Sequence, residues 1–175
     1  TMPRDIAALA NAILKQPVQV EVTPPATTVE KVEQRLNLVS KANKPLLLTS
    51  ILQNTPHDSV LVFTRTKHGA NRVVQYLDRA RIRSTAIHGN KSQNARQHAL
   101  DSFRSGEIKV LVATDIAARG IDVPGISHVI NYDIPYNPTR VIQRIGRINR
   151  INKKVFDRLF IYNFFPTETG ESEIR

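Results

Sequence analysis

The sequence predicts an α/β fold in which helices cover both faces of a parallel sheet. Short apolar runs rich in β-branched residues recur along the chain, and segments with apolar residues at helical spacing separate them. The runs are nearly continuous in apolar residues, as expected for strands that are covered on both faces. Apolar strands that alternate with amphipathic helices are typical of a parallel sheet.

The first 30 residues predict a short helix followed by an extended linker. Pro3 suits the first turn of a helix, and it precedes five apolar residues at helical spacing, Ile6, Leu9, Ala10, Ile13 and Leu14. Residues 15–30 contain alternating valines and then a stretch rich in Thr and Pro, which is typical of an extended segment. We therefore expect residues 1–28 to lie outside the compact domain and residues 29–175 to form it.

Four strands are predicted from the apolar runs, at residues 59–63, 84–88, 109–113 and 128–132. One predicted helix carries Ala70, Val73, Val74 and Leu77, and another carries Ala95, Ala99, Leu100 and Phe103. In open parallel sheets, ligands bind outside the carboxyl ends of the strands. The candidate site residues are therefore those that follow the strands, namely 64–67, 88–89, 114–115 and 132–133.

Composition indicates one soluble domain with a polyanionic partner. A length of 175 residues suits a single domain, with 41% hydrophobic and 23% charged residues, and no apolar run approaches the ~18–20 residues that a membrane span requires. The 25 Lys and Arg exceed the 15 Asp and Glu by ten, and a net charge of +10 favours a nucleic-acid partner. The alternative is that the charge only keeps the domain in solution.

The absence of cysteine excludes disulfides and thiolate metal sites, and the five scattered His do not form a zinc pattern. We therefore predict no metal site in this chain and expect a cytoplasmic location. The first residues, Thr1-Met2-Pro3, carry neither an initiating Met nor a signal profile, so we expect the chain to be part of a longer protein.

The post-strand segments are rich in groups that bind phosphate: small hydroxyls, glycines, basic side chains and backbone amides at helix starts. Three such segments in one basic chain favour a groove for a phosphate backbone over ordinary caps and turns.

A run of arginines near the C-terminus is the most informative segment. Arg140, Arg144, Arg147 and Arg150 recur every three or four residues, so on a helix they would form one stripe. The stripe could be merely a solvated face. However, like charges at this spacing repel and Gly146 weakens a helix, so the arrangement costs stability unless an anion neutralises it. The natural anion is a chain of phosphates.

Several of these segments resemble motifs of one enzyme family. Residues 113–124 (ATDIAARGIDVP) resemble motif V of the DEAD-box RNA helicases, and residues 143–150 (QRIGRINR) resemble motif VI of superfamily 2 helicases. Residues 62–67 (VFTRTK) are similar to motif IV, Gln93 and Arg96 to motif IVa, and the N-terminal Thr1-Met2-Pro3 to the end of motif III. The resemblance covers residues 1 to about 135 and is nearest to bacterial RhlE-type enzymes. It implies the second RecA-like domain of a two-domain, ATP-dependent RNA helicase, with residues 1–28 as a remnant of the interdomain segment.

Two departures qualify the resemblance. Gln143 stands where motif VI usually has His, and Ile148-Asn149 replaces Thr-Gly, whereas the arginines are kept. From Tyr136 onward, the C-terminal ~40 residues look more like Swi/Snf-type helicase-related ATPases. The alternatives are therefore a chimeric chain or a Swi/Snf-like translocase fragment acting on DNA, besides a non-enzymatic nucleic-acid-binding module.

The resemblance also implies roles for individual residues. Arg147 and Arg150 match the motif VI arginine fingers, which stabilise charge developing on the transferred γ-phosphoryl group. Asp122 matches the acid near the nucleotide ribose, and Gln143 or Arg144 would couple the nucleotide to the interdomain contact. Six residues match positions that grip the RNA backbone: Arg65, Thr66, Gln93, Arg96, Thr114 and Gly120.

The sequence lacks the groups that hold ATP in this family. No Gly is followed by Lys, so there is no phosphate-cradling Walker A loop, and no two acidic residues are adjacent, so the Asp-Glu-Ala-Asp motif that holds magnesium is missing. ATP and Mg²⁺ would be bound mainly by the N-terminal RecA-like domain of the same parent chain. We expect this chain to be monomeric and inactive as an ATPase alone, with RNA as its partner.

Overall fold

The computed structural model describes residues 12–14, 31–57, 59–118, 125–146 and 158–167. These ranges contain six strands: β1 (Lys31–Leu38), β2 (Val60–Thr64), β3 (Ser84–Ile87), β4 (Val110–Thr114), β5 (His128–Asn131) and β6 (Arg158–Phe165). They also contain four helices: α1 (Lys44–Asn54), α2 (Lys67–Arg79), α3 (Gln93–Arg104) and α4 (Pro138–Gly146). None of the helices in these ranges is both long and apolar enough to cross a membrane.

The strands form one parallel sheet in the order β1-β6-β5-β2-β4-β3. Every residue of β2 and β4 is buried, which explains why these strands are apolar throughout. On one face, Leu48 of α1 and Leu77 of α2 pack in a core that contains Val62. On the other face, Phe103 of α3 packs in a second core that contains Phe63. The predicted parallel sheet with helices on both faces is confirmed.

The four predicted strands are present, each within one residue of its predicted bounds. The prediction lacked β1 and β6, which pair with each other over eight residues. Strand β1 (KVEQRLNL) lies at an edge of the sheet and alternates polar with apolar residues, so it lacks the continuous apolar signal of a central strand. The described part of the C-terminal ~40 residues contains α4 and β6, and β6 lies between β1 and β5 and completes this same sheet.

Helix α1 was also missing from the prediction, although Pro45 at its first turn is a usual start signal. Of the predicted N-terminal helix, the structure describes residues 12–14, where Ala12 and Ile13 are helical. The linker predicted at residues 15–30 lies outside the described residues.

Candidate functional site

The buried side chain of Arg144 ties together three strands at the carboxyl edge of the sheet. Arg144 lies on α4 and is 2% exposed. Its Nε and Nη2 donate to the two carboxylate oxygens of Asp115, at 2.6 and 2.8 Å, just after β4. Its Nη1 donates to Asn131 Oδ1 and to the Asp133 carbonyl oxygen, both at 2.9 Å, at the end of β5. The guanidinium also lies 4.6 Å from the ring centre of Phe63 in β2.

This arrangement explains how a charged group is accommodated in the interior. A buried cation is tolerated when a carboxylate and further acceptors satisfy its N–H groups, and a two-point contact with a carboxylate also fixes orientation. Asn131 uses its Nδ2 to donate to Asn163 Oδ1 at 2.7 Å, so β6 joins the same network. Arg144 therefore anchors α4 to the ends of β4 and β5.

Asp133 holds two neighbouring segments at the carboxyl end of β5. Its Oδ1 accepts from Lys44 Nζ at 3.0 Å, at the start of α1, and its Oδ2 accepts from the Arg65 backbone N–H at 3.0 Å. The pair with Lys44 is largely screened from solvent, since the two side chains are 15% and 24% exposed. Asp133 thus links the end of β5 to α1 and to the loop between β2 and α2.

The loop between β2 and α2 is closed by Thr66, whose Oγ1 accepts from the Gly69 N–H at 3.0 Å as the N-cap of α2. A Cβ at Gly69 would lie 3.1 Å from that hydroxyl oxygen, so the close approach explains the glycine. Arg65 is exposed, and its guanidinium lies 4.9 Å from the ring centre of Tyr136.

His88 follows β3 and is buried, with its Nε2 2.9 Å from Asn71 Oδ1. Burial lowers the pKa of His88, and electrostatic interactions with Lys91, Lys67 and His68 lower it further. The imidazole is therefore neutral at neutral pH, and it packs the end of β3 against α2 rather than adding to the positive surface.

A crevice opens between the ends of β2 and β5, where the sheet connections run in opposite directions. Strand β2 leads through α2 to β3 at one edge of the sheet, whereas β5 leads through α4 to β6 on the other side. This topological switch point is where open α/β sheets bind ligands. The structure has a pocket of about 670 Å³ there, and its lining includes Arg65, Tyr132 and Asp133.

Comparison with known proteins identifies the family. Residues 43–152 match the family described as the helicase conserved C-terminal domain. The chain belongs to this family. It is 37% identical, over 154 residues, to the DEAD-box ATP-dependent RNA helicase RhpA of Helicobacter pylori, with 88% of this chain and 31% of RhpA covered. The chain therefore spans about a third of the length of this relative.

Solved helicase structures show the same fold. The E. coli DEAD-box protein SrmB, in complex with the regulator of ribonuclease activity A, matches with a TM-score of 0.70 at 28% identity over 79% of each chain. S. cerevisiae Dbp5 bound to RNA and ADP BeF3 matches with a TM-score of 0.75 at 27% identity, over 96% of this chain and 44% of Dbp5. The predicted resemblance to the C-terminal RecA-like domain of DEAD-box helicases is confirmed.

Five of the six predicted RNA-binding residues lie in segments that the structure describes. Arg65 and Thr66 follow β2, Gln93 and Arg96 lie in the first turn of α3 after β3, and Thr114 ends β4. Arg65, Thr66 and Gln93 are exposed, Arg96 is half-buried and Thr114 is buried. Gly120 lies outside the described residues, as do Asp122, Arg147 and Arg150.

The predicted arginine stripe is corrected by the structure. Arg140 is exposed on α4, whereas Arg144 points into the domain and is held by Asp115, so these two residues do not share one anion-facing surface. Helical spacing alone could not reveal this, because the acceptors for Arg144 come from strands that are distant in sequence. Gln143 is exposed on the same helix. The predicted nucleotide contacts of Gln143 and Arg144 stay predictions.

Asp115 and Asp133 were predicted as post-strand residues without a role. Asn131 and Lys44 were not predicted as site residues. The Asn43-Lys44-Pro45 segment is a helix-start signal and would have placed Lys44 near the site if α1 had been predicted.

Proposed function

We propose that this chain is the second RecA-like domain of an ATP-dependent RNA helicase and provides one half of an RNA-backbone groove. The observation that carries this proposal is the adjacency of β2, β4 and β3 in the sheet. Each of these three neighbouring strands leads to predicted RNA-binding residues: Arg65 and Thr66 after β2, Thr114 at the end of β4, and Gln93 with Arg96 after β3. Residues from separate parts of the sequence thereby form one row along the carboxyl edge, as a groove for a continuous backbone requires.

The described groups of the row suit phosphate and sugar contacts. Arg65 and Gln93 present N–H donors to solvent. The first turns of α2 and α3 lie in the same row and add the partial positive charge of helix N-termini. Contacts of this kind position a strand without reading its sequence, so binding would be independent of sequence.

The second part of the proposal concerns ATP hydrolysis in the parent protein. ATP, when bound between the two domains, supplies the γ-phosphoryl group on which negative charge develops during transfer. The buried ion pair of Arg144 with Asp115 anchors the end of α4, and Arg147 follows α4 directly in the sequence. Arg147 and Arg150 would act as arginine fingers, while Asp122 and Gln143 would contact the nucleotide.

In this proposal, Mg²⁺ is bound mainly by the first RecA-like domain. Within the described ranges, no three His, Asp or Glu side chains come together as ligands for a metal ion. Asp115, after β4, and Asp133, in the crevice, already pair with Arg144 and Lys44. The described residues thus do not form a Mg²⁺ site on their own.

Salt dependence of RNA binding tests the groove. The chain should bind single-stranded RNA weakly and without sequence preference, and log Kd should rise with log salt by about 0.7 for each phosphate contacted. Arg96→Gln should reduce that slope by about 0.7. Fluorescence anisotropy with a labelled oligonucleotide across a salt series measures both quantities.

The matched control is Lys109→Gln, which removes an exposed cation just before β4, at the opposite edge of the sheet. Lys109→Gln should leave the slope unchanged. Affinity that does not vary with salt, or equal slopes for wild type and Arg96→Gln, would overturn the proposed groove.

A further inference from the structure

The pocket at the switch point is rich in basic side chains. Besides Arg65 and Thr66, it is lined by Lys41, Lys44 and Arg72. The carboxylate in its lining is that of Asp133, and this group is already paired with Lys44 and bonded by the Arg65 N–H. Neither Lys41 nor Arg72 forms an ion pair within the part of the chain that the structure describes. The pocket therefore carries positive charge that its own walls do not neutralise.

The walls between these cations are aromatic. Tyr76, 39% exposed on α2, and the half-buried Tyr132 both line the pocket. Burial raises the pKa of Tyr132, with Asp133 and Tyr76 adding to the rise, so its hydroxyl stays protonated and uncharged. The chain has four Tyr in all, and a third, Tyr136, lies under the Arg65 guanidinium at the rim. Two of the four Tyr thus line this crevice, and a third lies beside it.

Positive charge beside tyrosine rings matches the chemistry of a nucleotide. Guanidinium groups bind phosphate through two N–H donors, and the faces of tyrosine rings stack on unpaired bases. A volume of about 670 Å³ is within the usual range for small-ligand sites. The switch point of the sheet is also the place where an α/β domain binds ligands.

Continuity with the groove argues for RNA rather than an acidic peptide as the source of that nucleotide. Arg65 and Thr66 belong both to the proposed backbone row and to the pocket lining. A strand that contacts them therefore passes the mouth of the pocket. An acidic peptide would use the cations but would have no reason to follow the row to Gln93.

The Tyr132 ring already contacts Lys44 Nζ, 5.4 Å from the ring centre, and Phe164, so the exposed Tyr76 is the ring open to a base. We propose that this pocket is a nucleotide subsite of the RNA groove, in which one unpaired base packs against Tyr76, beside Tyr132, and its phosphate contacts Arg72 and Lys41. This inference rests on the proposed RNA groove and extends it from the β2–α2 loop onto α1 and α2. It also adds one stacked base to the backbone contacts of the proposed groove.

The test compares two ligands and three variants of the full 175-residue chain. The ligands are a fluorescent oligouridylate and the matching oligomer that has the same ribose-phosphate chain without bases. The variants are Arg72→Gln, Tyr76→Ala and the control Lys109→Gln. Arg72 and Tyr76 are exposed side chains on α2, and both lie outside its buried residues Ala70, Val73 and Leu77. Equal thermal unfolding midpoints of the variants would verify that they keep the fold.

Tyr76→Ala should weaken oligouridylate binding by about fivefold to tenfold, because stacking on one aromatic ring is lost, and should leave the abasic oligomer unaffected. Arg72→Gln should weaken the binding of both ligands, because both carry the phosphate. Lys109→Gln should weaken the binding of neither. A second readout is photo-crosslinking of 5-iodouridine RNA, which should label the peptide that contains Tyr76 or the one that contains Tyr132.

Distinct outcomes would overturn the inference. Crosslinks outside the pocket together with an unaffected Tyr76→Ala would refute the base subsite, while RNA binding that still depends on Arg96 would leave the groove intact. Loss of dependence on Arg96 would refute the groove itself. Binding of a tyrosine-containing polyglutamate peptide that depends on Arg72, with no such dependence for RNA, would assign the pocket to an acidic peptide instead.

Discussion

Replacing Arg147 or Arg150 by Lys should reduce ATP turnover about a thousandfold when this chain is joined to a first RecA-like domain. Lysine keeps the charge but loses the planar, multi-donor geometry of the guanidinium. Arginine fingers in other phosphoryl-transfer systems contribute on the order of a thousandfold or more, equivalent to ~4 kcal/mol of transition-state stabilisation. The measurement is kcat for ATP at saturating RNA, with RNA affinity measured on the same preparations.

The two measurements together separate the proposed role from its alternative. If the arginines act on the transition state, turnover falls steeply while RNA affinity changes little. If they instead form an RNA-facing surface, RNA affinity falls and turnover at saturating RNA is preserved. The second pattern would contradict the arginine-finger role.

Arg144→Met should lower the free energy of unfolding by about 3 kcal/mol, because removal of one partner leaves the other members of a buried network without theirs. Methionine keeps an apolar stem beside Phe63 but removes four hydrogen bonds, to Asp115, Asn131 and the Asp133 carbonyl. This loss lies at the lower end of the range for removing one partner of a buried ion pair, because the Asp115 side chain is 25% exposed and water can reach it. Urea unfolding followed by circular dichroism gives the value.

Arg140→Met is the matched control, because Arg140 lies on the same helix but is exposed. It should change the free energy of unfolding by less than about 0.5 kcal/mol. The double variant Arg144→Met/Asp115→Asn should recover part of the loss, since the unpaired carboxylate is then neutral. Equal effects of Arg144→Met and Arg140→Met would show that the Arg144 network does not stabilise the domain.

The sheet was predictable from sequence where burial is complete. Strands β2 and β4 are apolar at every position or nearly so, and such runs reveal a central parallel strand directly. Strand β1 was not predictable in this way, because an edge strand is covered less and alternates polar with apolar residues. Its place beside β6 depends on pairing between the two ends of the domain, which a local pattern does not encode.

The candidate site was predictable as a location but not as a set of contacts. Parallel topology placed the loops after β2, β3 and β4 at one edge, and the structure has them there. The roles of Asp115 and Asp133 were not predictable, because their partners Arg144 and Lys44 are 29 and 89 residues away. Equally spaced arginines could not show that Arg144 alone of α4's described arginines turns inward, since that depends on acceptors from β4 and β5.

Reconstituted ATP hydrolysis tests most directly the claim that this chain is the second half of a helicase. The chain alone should give no hydrolysis above background, because it lacks a phosphate cradle and an acidic magnesium site. Joined to the first RecA-like domain of a DEAD-box relative, it should give ATP hydrolysis that RNA stimulates and that the first domain alone does not show. Magnesium-dependent hydrolysis by the isolated chain, or a joined protein whose turnover does not respond to RNA, would contradict the account.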